Sequence, residues 1–117
     1  MSTITEADMN KLLEEEKAYL GITWKDETTD TLLKSYIKTS IKRLESIFGD
    51  YLNFIDGEEA YDHLGHELLI TRVFYAREKA LDDFDSNFRG ELLTLRNYGK
   101  VKQLMARKEE SEDCLLY

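Results

Sequence analysis

The sequence predicts an all-α fold, and three observations carry that reading. Proline is absent and glycine occurs only six times in 117 residues, so the chain lacks the turn residues that a many-stranded sandwich or barrel needs. Apolar residues recur at i, i+3 and i+4 over most of the length, the spacing of amphipathic helices. Charged residues make up 34% of the chain and hydrophobic residues 42%, a mixture of a folded helical protein rather than a disordered or membrane-embedded one. The expectation is a compact bundle of four main helices, near residues 5–20, 29–48, 58–83 and 86–106. They form one domain over residues 1–107, followed by a flexible tail at 108–117.

The first helix opens on Thr5 as N-cap, with Glu6 and Asp8 near the positive helix end, and closes at Gly21. Met9, Leu12, Leu13, Tyr19 and Leu20 form its apolar stripe, interrupted by Glu16. In the connector, Ile22 and Trp24 are expected to fold back as a lid on the core. Thr28, Thr29 or Asp30 caps the second helix, whose stripe is Leu32, Leu33, Tyr36, Ile37, Ile41, Leu44, Ile47 and Phe48. Gly49 stops it. Leu52, Phe54 and Ile55 in the following loop are a short extended piece or core anchors.

The third helix carries Gly65 in its early turns, and its middle, residues 68–76, is apolar on nearly every side except at Thr71 and Arg72. Such a helix is central and covered by neighbours or by another subunit. After a tight corner at residues 82–85, the fourth helix presents Phe88, Leu92, Leu95, Tyr98, Val101 and Met105, with Gly99 as a possible break. Ile41, Leu68, Phe74 and Leu92 are expected in the core.

No apolar run is long enough to span a bilayer, and the polar N-terminal stretch does not read as a signal peptide. Cys114 has no second cysteine to pair with, which fits a reducing compartment. The net charge of −8 argues against nucleic-acid binding over the whole surface. Its distribution is uneven. Residues 1–30 hold eight acids and three bases, and residues 50–67 hold six acids and no Lys or Arg. Residues 88–108 reverse this, with Arg89, Arg96, Lys100, Lys102, Arg107 and Lys108 against Glu91 alone. Residues 109–113 are acidic again. A molecule acidic at one end and basic at another is suited to pairing head to tail with its own copies, in rings or filaments.

No catalytic, cofactor-binding or metal-binding residue is assigned. His63, His66 and Glu67 read H-x-x-H-E, which matches neither order of a zinc-protease helix nor the Glu-x-x-His of di-iron bundles. No Gly-rich phosphate loop follows a strand, and no base neighbours a Ser or Cys in sequence. Cys114-Leu115-Leu116-Tyr117 has the outline of a prenylation box, but Tyr is the wrong final residue and the preceding segment is acidic. Leu115, Leu116 and Tyr117 read better as an apolar tip that docks on a partner.

Several stretches together resemble one family. They are Lys17-Ala18-Tyr19-Leu20-Gly21-Ile22-Thr23-Trp24, the acidic Asp26-Glu27-Thr28-Thr29-Asp30 before a long amphipathic helix, and the Gly49 corner with Leu52 and Phe54. Leu68-Leu69, Tyr75-Ala76-Arg77, Ala80-Leu81, Phe84, Asn87-Phe88, Glu91-Leu92-Leu93 and Leu95-Arg96 follow. In this order they are similar to the small head–tail connector (neck adaptor) proteins of long-tailed bacteriophages and prophages of Gram-positive bacteria. The likeness covers roughly residues 9–105 and lies in helix lengths, corners and apolar spacing.

The resemblance implies a non-enzymatic structural protein of the virion neck, made in the bacterial host cytoplasm and needing no cofactor. Its partners would be the portal protein, the next neck or tail-completion protein, and itself, in a ring of about twelve copies that assembles from monomers. Genome DNA would pass through the channel without specific binding, and no membrane is involved. The residues expected at the oligomer or portal interface are Arg89, Arg96, Lys100, Lys102, Arg107, Lys108, Leu115, Leu116 and Tyr117. The same composition also fits a small cytosolic helical regulatory or adaptor protein acting as a monomer or dimer.

Overall fold

The computed structural model describes the backbone of residues 4–115 and the side chains of residues 4–107. The described residues form five helices and no strand: α1 (Glu6–Leu20), α2 (Glu27–Phe48), α3 (Ala60–Arg77), α4 (Leu81–Asn87) and α5 (Arg89–Leu115). The all-α expectation holds, with five helices in place of four.

Local chemistry sets the helix ends. The Thr5 side chain accepts the Asp8 N–H at 3.1 Å, and Gly21 closes α1 in the left-handed region at φ 74°. The Ile22 N–H reaches back to the Lys17 carbonyl at 2.8 Å, which places Ile22 in the core as expected. Trp24 does not follow it: the indole is 53% exposed, so the lid is Ile22 alone. The cap of α2 is Asp26, earlier than the expected Thr28, Thr29 or Asp30. Its carboxylate accepts the Thr28 N–H at 3.3 Å and the Thr29 hydroxyl at 2.7 Å. The Thr29 hydroxyl and then the backbone bonds hold its pKa below the usual carboxylate range.

Helix α3 touches each of the other four helices, so the apolar middle segment is central as its composition required. Leu33, Ile37, Ile41, Leu44 and Phe48 of α2 meet Leu68, Leu69 and Val73 of α3. Met9, Leu12 and Leu13 add α1 to this core, Leu95 adds α5, and Leu52 and Phe54 anchor the loop beneath it. Gly65 leaves room for that anchor: a Cβ there would lie 3.2 Å from the Leu52 side chain. Of the four expected core residues, Ile41 and Leu68 are buried and Leu92 partly so, but Phe74 is 36% exposed. It faces outward with Tyr19, ring edge to ring face at 6.2 Å.

The largest departure is at the end of α3. The expected single helix over residues 58–83 ends at Arg77, and the corner lies at residues 78–80 instead of 82–85. Lys79 takes a left-handed backbone (φ 56°), and the Ala80 N–H closes the turn on the Tyr75 carbonyl at 2.8 Å. Arg77, Glu78, Lys79 and Ala80 are all good helix formers, so nothing local announces the stop. It is imposed by packing. The turn brings Phe84 of α4 and Phe88, between α4 and α5, onto Tyr75, with ring centroids 5.6 and 5.9 Å away. Phe84 and Phe88 stack at 5.0 Å.

Gly99 does not break α5. It is the point where α5 crosses the end of α2, and a Cβ there would collide with the Phe48 backbone carbonyl. Two substitutions test these backbone demands with opposite signs. Gly99→Ala, which raises helix propensity, is expected to destabilise the fold by about 1–3 kcal/mol through overpacking. Lys79→Gly, which removes a left-handed Cβ clash, is expected to stabilise it by up to about 1 kcal/mol. Urea titrations of both variants read the two signs directly.

Candidate functional site

Helix α5 is 27 residues long, about 40 Å at 1.5 Å per residue. Its first half is fixed to the body. Lys102 Nζ lies 3.1 Å from Asp50 Oδ2, and 5.6 and 5.5 Å from the Phe48 and Tyr61 ring centroids. The Tyr51 N–H and then Lys102 keep the Asp50 carboxyl below its ordinary range. One residue on, the Gln103 amide reaches the Gly49 carbonyl at 3.4 Å. Beyond it α5 leaves the body: Leu104 and Met105 are 62% and 64% exposed. The helical backbone continues to Leu115, so residues 104–115 form an arm of about 18 Å. The molecule measures 61 × 32 × 20 Å.

This arm corrects the expected end of the last helix near residue 106. The interface residues expected from sequence divide into three groups. Arg89, Arg96, Lys100 and Arg107 are exposed. Their offsets of 7, 11 and 18 residues from Arg89 place them within about 40° of one another around the axis, so they form one basic ridge. Lys102 is apart from them, half-buried and occupied by Asp50. For Lys108 and Leu115 the backbone is helical and the side chains lie outside the described residues, as do Leu116 and Tyr117 altogether. Leu93, Val101, Leu104 and Met105 add exposed apolar surface alongside the ridge.

A second feature was not anticipated. An open groove of about 880 Å³ lies between the start of α1 and the second half of α2. Ile4, Met9 and Ile41 line it with apolar surface, the charged Lys38, Lys42, Glu45 and Asp50 line it as well, and Gly49 and Tyr51 lie beside them. Lys34, Lys38 and Lys42 repeat at i+4 along α2, the one signal of this edge that the sequence carries. Lys38 and Lys42 enter none of the ion pairs among the described residues, which are Lys17–Asp30, His66–Glu15 and Lys102–Asp50.

Of the histidines set aside as metal ligands, His66 Nε2 lies 2.5 Å from Glu15 Oε2 and ties α3 to α1. Among the described residues no group of three or more His, Cys, Asp or Glu is arranged to hold a metal ion. Among them, too, no helix is long and apolar enough to cross a membrane. Protein-family models, curated proteins and solved structures were each compared with the chain, and none matches.

Glu16, expected to interrupt the α1 stripe, is fully buried within it, and neither carboxylate oxygen has a hydrogen-bond partner among the described residues. Burial, and then the neighbouring charge of Glu15, push its pKa from 4.5 up to about 8. The native state therefore holds this proton more tightly than the unfolded chain. The stability it permits is fully present below pH 4.5 and is lost progressively as pH rises through about 8. In Glu16→Gln that slope is absent. The stability of the variant relative to the parent is expected to rise between pH 5 and pH 8, in total by several kcal/mol at about 1.4 kcal/mol per pH unit. Thermal or urea unfolding across that range measures it.

Proposed function

We propose that the chain is a structural head–tail connector of a tailed bacteriophage, with no catalytic role. It forms a ring of about twelve copies that docks on the portal protein, extends the DNA channel and joins the head to the next neck or tail-completion protein. The observation that carries this reading is α5: its first half lies on the body and shows the exposed Arg89, Arg96 and Lys100 of the basic ridge, and beyond the root held by Lys102 and Gln103 it projects with Leu104 and Met105 exposed. An exposed apolar patch on a projecting helix fits an interaction surface.

The charge layout supports the same reading. The basic ridge lies on α5, while residues 50–67 and much of residues 1–30 are acidic. Opposite patches raise encounter rates and fix orientation between partners. Acidic segments facing a channel would repel DNA phosphates and let the genome slide without sticking. This function belongs to the virion neck, with the host cytoplasm as the place of assembly.

The test separates the ridge from the fold. Arg96→Glu with Lys100→Glu reverses two exposed ridge charges and leaves the Lys102–Asp50 pair intact. The variant is expected to keep its circular dichroism spectrum and to fail to join portal-bearing heads, so that filled heads accumulate without tails. Normal complementation of a connector-deficient phage by this variant would remove the ridge from the docking surface.

A further inference from the structure

We propose that α1 is a pH-released cover: as pH rises, it opens from the α2–α3 seam as a unit while α2 to α5 stay folded. The inference concerns the isolated chain and does not rest on the connector reading.

Three consecutive residues fasten α1, and they point in different directions, as successive helix positions do at steps of about 100°. Glu15 meets His66 of α3 at 2.5 Å. Lys17 meets Asp30 of α2 at 3.1 Å. Glu16, between them, is fully buried. It falls seven residues after Met9 and four after Leu12, where the buried stripe of Met9, Leu12 and Leu13 calls for another apolar residue. Both of its carboxyl oxygens are buried without a hydrogen-bond partner among the described residues.

A leucine at this position would fasten α1 at any pH. A carboxyl fastens it only while it keeps its proton, because the ionised form would be shielded from solvent with nothing to compensate it. The nearby cations are engaged elsewhere. Lys17 is held by Asp30 of α2, and His66 of α3 by Glu15. Arg72, the buried cation of α3, feels Asp85 and Arg43. The charge that acts on Glu16 is that of Glu15, which has the same sign. His66 adds to the effect, since its contact with Glu15 is an ion pair only with the imidazole protonated. A rise in pH therefore removes an attraction at the α1–α3 seam and drives a charge into the core beside it. The closed form holds the Glu16 proton up to about pH 8, whereas the solvated carboxyl gives it up near 4.5, so release grows between these values.

Opening stops at α1. Among the described residues α1 touches no helix besides α2 and α3, and it brings Met9, Leu12 and Leu13 to the core. The contacts of α2 with α3 and α5, of α3 with α4 and α5, and of α4 with α5 do not pass through it. A small unit joined to a larger body along one seam opens at a lower free energy than the whole. Ile22, buried just beyond the Gly21 turn, keeps the far end of α1 on the body. Ile4 and Met9 line the groove from the α1 side, so opening dismantles the groove as well.

Amide hydrogen exchange of the full chain tests this, read residue by residue by NMR between pH 5 and pH 8 and corrected for the intrinsic base-catalysed rate. Residues 12–20 are expected to share one protection factor at each pH, at least about tenfold below the best-protected amides of α3. That shared factor is expected to fall about tenfold per pH unit, because the open form binds one proton fewer. Complete unfolding also exposes Glu16, so α3 amides that exchange through it fall in parallel. The gap between α1 and α3 is what reports local opening. In Glu16→Gln, and in Glu16→Leu, which covers a poor fit of the amide, the slope in α1 is expected to flatten and its protection at pH 8 to rise. Equal protection in α1 and α3, or protection that grades away toward Glu6 without a shared value, would overturn release as a unit. An α1 slope unchanged in both variants would remove Glu16 as its cause.

Discussion

The crossing of α5 over the end of α2 is the contact on which the rest of the molecule depends. Gly99 lets the two backbones approach at Phe48, a distance no side chain would allow. On the next turn Lys102 spans three partners, the Asp50 carboxylate and the faces of Phe48 and Tyr61. The Phe48 and Tyr61 rings are themselves packed at 4.9 Å, and Tyr98 approaches Tyr61 at 6.3 Å. This combination of close backbone contact, cation–π attraction and an ion pair fixes the direction in which α5 leaves the body. It also sets the arm beside the groove's Gly49 end, so the two candidate binding surfaces have a defined relation to each other.

The interior of the bundle is more polar than its apolar stripes suggest. Arg72 is buried on α3 and donates to the Ser40 hydroxyl of α2 at 2.9 Å. Burial lowers its pKa, opposed by the charge of Asp85. Lys17 is buried against Asp30 at 3.1 Å, tying α1 to α2. The buried cations thus have polar or anionic neighbours, while Glu16 meets its cost by holding a proton. Arg72 and Lys17 each bridge two helices, where register errors would leave a charge or a donor without compensation. That arrangement favours one packing of α1 and α3 on α2 over alternatives that bury the same apolar area.

The body carries a projecting helix, α5, and an open groove between α1 and α2. The ion pair at the arm's root is partly exposed, so its contribution is geometric more than energetic. The exposed leucine, valine and methionine of α5 share the helix with the charged ridge of Arg89, Arg96, Lys100 and Arg107.

By itself the sequence determined the helical class, the Thr5 and Gly21 ends of α1, the Gly49 stop, and most of the α2 stripe, because caps and apolar periodicity are local. It also determined the basic character of residues 88–108. Its spacing contained the alignment of Arg89, Arg96, Lys100 and Arg107 into one ridge. Only the tertiary structure decided where α3 stops, because the turn at Lys79 is driven by Tyr75 meeting Phe84 and Phe88 and not by any breaker residue. It alone buried Glu16 and exposed Phe74 and Trp24, since which side of a helix is covered depends on neighbours that periodicity does not identify. The groove is likewise a product of packing: Ile4 and Ile41 are far apart in sequence and are brought to one cavity by the approach of α1 to α2. Lys102 shows the same division. Its charge was legible from its residue type, but its role at the root of the arm exists only once α5 lies against Asp50, Phe48 and Tyr61.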